Sequence, residues 1–259
     1  MLNQISELVR KSGEMILSAD HIRDGVAVKP GSANFVTRYD VAVQAFLEKE
    51  LLSLLPQAAF IGEENDAITH AGAEYAFIVD PIDGTTNFIK GYPRCAVSVG
   101  LARKGRMELG VVYNPFSGEL FQAKRGEGAA LNGRTIHVSR SRLQDGIVCF
   151  GTSPYYPEAA ERSFALAKKL YRYAMDLRRT GSAALDLCDV ACGRCELFFE
   201  AILSPWDYAA ASLIVEEAGG SVMDMEEHTL RFDQKCSVLA GNQPALADYF
   251  TLIGNDEEA

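Results

Sequence analysis

The sequence has no long hydrophobic run. Apolar stretches such as Ala76 to Val79 and Ala209 to Val215 fall far below the ~20 residues that a membrane-spanning helix needs. The amino terminus also lacks the basic-then-apolar pattern of a secretory signal. With 259 residues, 48% of them hydrophobic, the chain has enough apolar material for a sizeable core. These features predict a globular cytoplasmic protein with no membrane partner.

The sequence also has no excess of basic residues. Its 25 lysines and arginines face 35 acidic residues, which gives a net charge of -10 at pH 7. Such a chain repels a polyanionic backbone, so nucleic acid is not expected as its primary partner. An acidic protein that handles a phosphate must first neutralise its own carboxylates, and divalent cations do this most simply.

Cysteine is too sparse for a disulfide-stapled scaffold. The six cysteines are Cys95, Cys149, Cys188, Cys192, Cys195 and Cys236. A chain of this size does not need disulfides, and cytosolic thiols stay reduced. Three of them, Cys188, Cys192 and Cys195, have a helical spacing that could suggest zinc, but no fourth ligand lies close in sequence. We therefore expect small buried core residues.

No repeat, low-complexity tract or linker rich in proline, glycine or serine divides the chain. Any boundary near residue 140 should then be continuous and packed. We expect an N-terminal α+β half, residues 1–140, that carries the metal and phosphate motifs. A C-terminal α/β half, residues 141–259, would supply Asp207 and the substrate-selecting residues, and the two halves would pack as one unit.

Hydrophobic spacing predicts the order of the secondary structure. Amphipathic helices are expected at the amino terminus and from about Thr37. From Ala58, short apolar runs separated by glycine, asparagine and proline predict a meandering sheet. After Ser141, a strand at 147–151 and helices at 157–171 and 183–191 follow one another. The fold class is α+β or α/β, with two helix-covered sheets.

The segment from Asp80 to Phe88, DPIDGTTNF, is the most informative in the chain. Two acids follow an apolar strand, Gly84 permits a close backbone approach, and the residues from Thr85 can begin a helix. Carboxylates bind cations, and free N–H groups at a helix start bind phosphate oxygens. A helix cap at Asp83 is the alternative interpretation, but the whole nonapeptide favours a site for a metal-bound phosphate.

Two more acids occupy similar positions. Glu63 follows the apolar run Ala59 to Ile61, and Asp207 precedes a helical run closed by a glycine pair. Taken alone, Glu63 would be a solvated loop acid and Asp207 a helix cap. Together with the nonapeptide, they predict a cluster of four carboxylates.

These blocks resemble the inositol monophosphatase family, within the lithium-sensitive, magnesium-dependent phosphatase superfamily that includes fructose-1,6-bisphosphatase. The resemblance covers nearly the whole chain. It also includes Val36-Thr37 with Asp40, the segment GVVYNP from Gly110, Asn132-Gly133, Val138-Ser139 and the segment RRTGSAA from Arg178. It implies a layered α-β-α-β-α sandwich of the sugar phosphatase type and, since relatives are commonly dimers, a homodimer.

The resemblance implies a site with two to three Mg²⁺ ions. Glu63, Asp80 and the main-chain carbonyl of Ile82 would bind one ion. Asp80, Asp83 and Asp207 would bind a second, and the family has a weaker third ion near Glu63. This arrangement suits phosphoryl chemistry, because metal ions activate water and stabilise both the attacking and the leaving oxygen.

The same resemblance implies the catalytic residues, which are Thr85, Asp40 and Glu63. Thr85, supported by Asp40, would orient and activate the attacking water. The spacing from Thr37 to Asp40 also matches a capping box for the second helix, so Asp40 has two candidate roles.

The implied substrate residues are Gly84, Thr85, Gly181, Ser182, Ala183, Glu200 and Asp207. The backbone at Gly84 and Thr85 would hold the phosphate, and Glu200 would accept hydrogen bonds from a ring hydroxyl. Two departures from many relatives, Cys195-Glu196-Leu197 and Ala201, lie close to the substrate block. The metal site is therefore better defined than the alcohol.

The expected reaction is hydrolysis of a small phosphate monoester, with inositol 1-phosphate first. Fructose 1,6-bisphosphate, histidinol phosphate and 3′-phosphoadenosine 5′-phosphate are the alternatives. A binding or regulatory protein with the same fold is an alternative of a different class. The intact acid set favours the enzyme, because clustered carboxylates are costly unless cations occupy them.

Overall fold

The computed structural model describes residues 1–20, 22, 26–28, 35–65 and 73–254. Within these ranges, the α-helices are α1 (Leu2–Leu17), α2 (Arg38–Leu54), α3 (Thr85–Lys90), α4 (Pro157–Leu170), α5 (Ala183–Ala191), α6 (Pro205–Glu217) and α7 (Gln243–Gly254). None of these helices is long and apolar enough to cross a membrane.

The strands form three sheets. The first has two short strands, β1 (Ala27–Val28) and β2 (Phe35–Val36). The second has seven: β3 (Ala59–Gly62), β4 (Tyr75–Asp83), β5 (Ala96–Arg103), β6 (Arg106–Asn114), β7 (Glu119–Lys124), β8 (Ala129–Leu131) and β9 (Arg134–Thr135). The third has five: β10 (Ile147–Phe150), β11 (Asp176–Arg178), β12 (Leu197–Leu203), β13 (Ser221–Met223) and β14 (Cys236–Gly241).

The seven-stranded sheet is a meander, as the sequence predicts. Its strands lie in chain order from β3 to β9, and only the first pair, β3 with β4, is parallel. The final hairpin turns at Asn132-Gly133, where both residues have positive φ, 50° and 77°. This turn chemistry fits the right-handed twist of paired strands.

The five-stranded sheet has the order β11-β10-β12-β14-β13. Strands β10, β11 and β12 are parallel to one another, while β14 is antiparallel to β12 and β13. The parallel strands are connected through α4 and α5, so this part of the chain has the alternating pattern that the sequence predicts.

Helices cover both large sheets. One hydrophobic core joins α1 and α2 to one face of the seven-stranded sheet, and a second joins α5 and α6 to both sheets. The third core joins α4 and α7 to the outer face of the five-stranded sheet. The resulting layers run α-β-α-β-α, which confirms the expected fold class.

Gly110 lets α6 lie unusually close to the seven-stranded sheet. A Cβ atom added at Gly110 would lie 2.4 Å from the carbonyl oxygen of Ala210. Since only glycine permits this approach, Gly110 helps to fix α6, which begins beside the site.

The structure corrects two predicted boundaries. Strand β4 does not end before the two acids but continues to Asp83, with a shift of register between Asp80 and Asp83. Helix α4 ends at Leu170 rather than at Tyr171. Glu200 lies in the middle of β12. The division near residue 140 stays a prediction, although it falls between the last strand of the second sheet and the first strand of the third.

Candidate active site

A cavity of about 640 Å³ opens where the two large sheets and α6 meet. Eleven of the twelve residues predicted for the site line it: Glu63, Asp80, Ile82, Asp83, Gly84, Thr85, Gly181, Ser182, Ala183, Glu200 and Asp207. The twelfth, Asp40, is buried behind this wall and contacts Thr85. The fold thus brings together residues that lie far apart in sequence.

Three aspartates form the centre of the cavity wall. Asp80, Asp83 and Asp207 each place a carboxylate oxygen within 4.8 Å of the other two. Asp80 and Asp83 can share this space because the register of β4 against β5 shifts between them. Asp207 comes from the first turn of α6, where it also accepts a hydrogen bond from the backbone N–H of Ser204 at 2.7 Å.

Burial and mutual repulsion disfavour the charged forms of these acids. Burial, followed by the charges of Glu63, Asp83 and Asp207, raises the pKa of Asp80 well above its usual value. Burial also raises the pKa of Asp83 to about 6, against the opposing effect of its hydrogen bonds. A divalent cation would remove both penalties, and carboxylate oxygens are the ligands that Mg²⁺ prefers. The donor set therefore fits the implied metal.

Glu63 approaches the cluster from β3. It opens a short 3₁₀ turn, Glu63–Asn65, directly after the strand, and its charge contributes to the raised pKa of Asp80. Gln44 on α2 fixes this turn by accepting the backbone N–H of Glu64 at 2.9 Å. A Cβ at Gly62 would lie 2.4 Å from the same Gln44 oxygen, so glycine makes the contact possible.

Asp40 forms the predicted helix cap and also contacts Thr85, as its predicted catalytic role requires. Its Oδ2 accepts the backbone N–H of Thr37 at 2.8 Å and completes the capping box of α2. Its Oδ1 lies 3.2 Å from the hydroxyl of Thr85, which is also 3.1 Å from the carbonyl oxygen of Ile82. The helix cap therefore holds the carboxylate where Thr85 can donate to it.

Ser182 holds Asp83 in place, a contact that the sequence did not indicate. The Ser182 hydroxyl and the backbone N–H of Ala184, the latter at 3.0 Å, both donate to Asp83 Oδ2. The two partners begin α5, about 100 residues away from β4. Ser182 was predicted only as a residue lining the pocket.

The family model of the inositol monophosphatases matches residues 1–253. The chain belongs to the inositol monophosphatase family. The curated relative Nus factor SuhB of Escherichia coli (strain K12) is 42% identical over 226 residues, which cover 86% of this chain and 85% of the relative. Membership of this family supports phosphatase activity on a small phosphate ester and dependence on a metal.

Solved structures of the family have the same fold. Inositol monophosphatase from Anabaena (Nostoc) sp. PCC 7120 is 30% identical, with a TM-score of 0.86 over 98% of this chain and 95% of that one. SaIMPase-II, solved with inositol monophosphate bound, is 26% identical, with a TM-score of 0.78 over 95% of this chain and 89% of that one.

Glu200, predicted to contact the substrate, is buried. Glu200 is 7% exposed, and its Oε1 accepts the backbone N–H of Ser153 at 2.7 Å. Burial raises the pKa of Glu200 to about 7, opposed by the Ser153 hydrogen bond and the charge of Arg179. Gly151 leaves room for this acid, because a Cβ there would lie 1.8 Å from Glu200 Oε2.

The far rim of the cavity was missed by sequence reasoning. It includes Tyr155, Tyr156, Arg179, Asp186 and Lys235. Arg179 belongs to the RRTGSAA segment of the family resemblance, but no role was predicted for it. The local pattern does not mark the other four, because they belong to loops and to a helix that appear ordinary in sequence. The Lys235 ammonium lies 3.0 Å from the Tyr156 hydroxyl, so this rim has a cationic group opposite the carboxylates.

The cysteines are core residues, as expected. All six are free thiols, and Cys188 and Cys195 are fully or almost fully buried in the core between the sheets. Cys192 packs against the same core, with its sulfur 3.7 Å from the carbonyl oxygen of Asp189. In the described part of the chain, the three aspartates are the only group of side chains arranged to hold a metal.

Proposed function

We propose that this chain is a magnesium-dependent phosphatase that hydrolyses the phosphate monoester of a small polyol, with inositol 1-phosphate as the leading substrate. The observation that carries the proposal is the convergence of Asp80, Asp83 and Asp207 within 4.8 Å, in a cavity that Thr85 and Glu200 also line. The SaIMPase-II structure with inositol monophosphate supports a cyclitol phosphate, and a second structure of that protein contains 2′AMP.

The metal ligands follow from this proposal. Glu63, Asp80 and the carbonyl of Ile82 would hold one Mg²⁺, and Asp80, Asp83 and Asp207 a second, with room for a third near Glu63. Bound Mg²⁺ supplies charge neutralisation for the phosphate and lowers the pKa of water. The carboxylates would determine where the metal ions lie. The backbone of β4 and the first turn of α6 hold these carboxylates in place before substrate binds.

Thr85 and Asp40 handle the proton of the attacking water. Because the Thr85 hydroxyl donates to Asp40 Oδ1, its oxygen lone pairs are left to accept a proton from water in the cavity. Asp40 is fully buried, and burial raises its pKa, so it can take up a proton more readily than an exposed aspartate. Backbone N–H groups near Gly84 and Thr85 would bind the phosphate oxygens.

Glu200 selects the alcohol. Its carboxylate lies in the same cavity but outside the three-aspartate cluster, where it can accept hydrogen bonds from ring hydroxyls.

The experiment that tests the proposed function is a phosphate-release screen, with and without Mg²⁺, over inositol 1-phosphate, fructose 1,6-bisphosphate, histidinol phosphate and 3′-phosphoadenosine 5′-phosphate. We expect release in Mg²⁺ only, fastest from inositol 1-phosphate. No release from any substrate would reject the proposal.

Lithium should inhibit the reaction, since this small cation can occupy a magnesium position. Rates measured at saturating Mg²⁺ should fall in a LiCl titration but not in a matched NaCl titration. Equal rates in the two salts would count against the assignment.

We also propose that the protein is a cytoplasmic homodimer, and light scattering would test the dimer.

A binding or regulatory role is the second candidate. The observation that favours it is the name of the curated relative, which calls that protein a factor rather than a phosphatase. Such a role needs no turnover, so a chain with intact folding and no activity in the screen would favour it. A complete acid set in one cavity favours the enzyme.

A further inference from the structure

Arg94 lies just outside the active-site cavity, between α3 and β5. Its side chain is 23% exposed, and its Nη2 lies 3.0 Å from Asp186 Oδ1 and 2.5 Å from Asp189 Oδ2. Asp186 is 1% exposed and lines the cavity from α5. A buried carboxylate needs a counter-charge, and Arg94 supplies it.

The same arginine is linked through shared partners to the loop that precedes α5. The Thr180 hydroxyl donates to Asp186 Oδ1 at 2.5 Å, the oxygen that also contacts Arg94. The Asn87 side-chain amide donates to two carbonyl oxygens, that of Arg94 at 2.7 Å and that of Thr180 at 2.9 Å. Residues 94 and 180 are therefore linked both through Asp186 and through Asn87.

This loop continues directly into the residues that hold Asp83. Ser182 and the backbone N–H of Ala184 donate to Asp83 Oδ2, within a few residues of Thr180. The loop also touches the phosphate motif, because a Cβ at Gly84 would lie 3.1 Å from both the Arg94 and the Gly181 carbonyl oxygens. A shift of the loop would move the donors on which the orientation of Asp83 depends.

We propose that Arg94 and Asp186 are positioning residues that hold the loop at residues 180–182 so that Asp83 keeps the orientation needed to bind Mg²⁺. Neither residue needs to touch the metal or the substrate for this role. The inference rests on the proposed function for its activity readout, but its metal-binding readout is independent of turnover. The competing interpretation is an ordinary buried ion pair that stabilises the fold and nothing else.

Arg125 provides a control for that competing interpretation. Its side chain is also 23% exposed, and its Nη2 lies 2.9 Å from Glu216 Oε2, a partner 91 residues away. Like Arg94, it connects distant segments, but its partner is half-exposed and neither residue lines the site cavity. Arg94→Met removes two ion pairs with largely buried acids and Arg125→Met removes one at the surface, and only the first pair of contacts leads to Asp83.

The test compares the wild type with Arg94→Met, Arg94→Lys and Arg125→Met. Calorimetric titration with Mg²⁺ alone, thermal unfolding in chelator and steady-state kinetics are measured for each. We expect Arg94→Met to weaken Mg²⁺ binding and lower kcat by about 10- to 100-fold, the usual effect of removing a partner behind a metal ligand. Arg125→Met should lose less thermal stability, because its partner is half-exposed, and should keep wild-type Mg²⁺ binding.

Lysine should restore most of the Mg²⁺ affinity at position 94. Arginine and lysine are not interchangeable where two nitrogens form a fork, but here both acids converge on a single nitrogen atom. Unchanged Mg²⁺ affinity in a folded Arg94→Met protein, whatever its loss of thermal stability, would overturn the proposal.

A second variant keeps the test decisive if Arg94→Met does not fold. Thr180→Val removes the hydroxyl bond to Asp186 and leaves the ion pair intact, so weaker Mg²⁺ binding is again expected. Wild-type binding in a folded Thr180→Val protein would count against the proposal. If the wild type binds Mg²⁺ but releases no phosphate, the proposed function fails while the titrations still decide this inference.

Discussion

At the scale of single residues, the carboxylates of the site lie in two different surroundings. Burial and the charges of neighbouring acids raise the pKa of Asp80 and of Asp207. By contrast, Glu200 lies outside the three-aspartate cluster, where the Ser153 hydrogen bond and the charge of Arg179 oppose the effect of burial on its pKa. Clustered carboxylates need a cation, while an acid beside the cluster can act as a hydrogen-bond acceptor. This difference supports the proposal that the three aspartates bind metal and that Glu200 selects the alcohol.

Glu200→Gln should therefore affect one class of substrate. A charge-assisted hydrogen bond contributes ~1.5–3 kcal/mol, so kcat/KM for inositol 1-phosphate should fall by roughly one to two powers of ten. Glycerol 2-phosphate, which has no ring hydroxyls, should react at nearly the wild-type rate. Equal losses on both substrates would mean that Glu200 supports the metal site instead.

At the scale of secondary-structure elements, one residue of α2 combines a structural contact with a proposed chemical role. Asp40 caps the helix with one carboxylate oxygen and receives the Thr85 hydroxyl with the other. Thr37 forms the cap and also donates its hydroxyl to Asp40 Oδ2. Changing Thr37 therefore removes the cap and one partner of the carboxylate, whereas changing Asp40 removes the carboxylate itself.

Thr37→Val should lower the free energy of unfolding by about 0.5–2 kcal/mol, the usual cost of losing a cap, and should lower kcat much less than Asp40→Asn does, because the carboxylate remains. Asp40→Asn should lower kcat by about 10²-fold or more, because an amide cannot take up the proton. Chemical denaturation and steady-state kinetics on both variants check this. Equal kcat in the two variants would show that Asp40 acts only as a cap.

The sequence predicts the acids of β4 well because they lie within nine consecutive residues. It does not predict that β4 continues through Pro81. This is possible because β3 ends at Gly62 opposite Val79, so no neighbour on that side needs the N–H that proline lacks.

The hydrogen bond from Ser182 to Asp83 was missed for another reason. The two residues lie 99 positions apart, and spacing patterns report only local geometry.

At the scale of the whole molecule, folding brings together acids from both parts of the chain. Glu63, Asp80 and Asp83 come from the seven-stranded sheet, and Asp207 comes from the helix layer between the sheets. In the unfolded chain these charges are solvated, and Glu63 and Asp207 are far from the other two in sequence. The folded state therefore places these carboxylates close together, and a bound metal ion would reduce the repulsion between them.

This repulsion predicts a pH dependence of stability in chelator. The pKa of Asp83 rises from 3.8 to about 6 on folding, and that of Asp80 also rises. Between these pH values the folded state binds more protons than the unfolded state, so the free energy of unfolding falls as pH rises from about 4 to 6 and stays lower above that.

Excess Mg²⁺ should prevent most of this fall in the free energy of unfolding and raise Tm at pH 7. Thermal unfolding from pH 4 to 8, in chelator and in Mg²⁺, is the measurement. Parallel curves in the two conditions would show that the acids bind no cation. Asp83→Asn provides a second check, because it should flatten the curve in chelator.

The most direct test of the account is phosphate release from inositol 1-phosphate by the wild type and Asp83→Asn, in Mg²⁺ and in excess chelator. Asp248→Asn is the control, because Asp248 also accepts a backbone N–H and a side-chain donor but lies on α7. We predict wild-type turnover in Mg²⁺ only, a loss of at least ~10²-fold in Asp83→Asn, and little change in Asp248→Asn. Full wild-type turnover in chelator, or an active Asp83→Asn, would contradict the account.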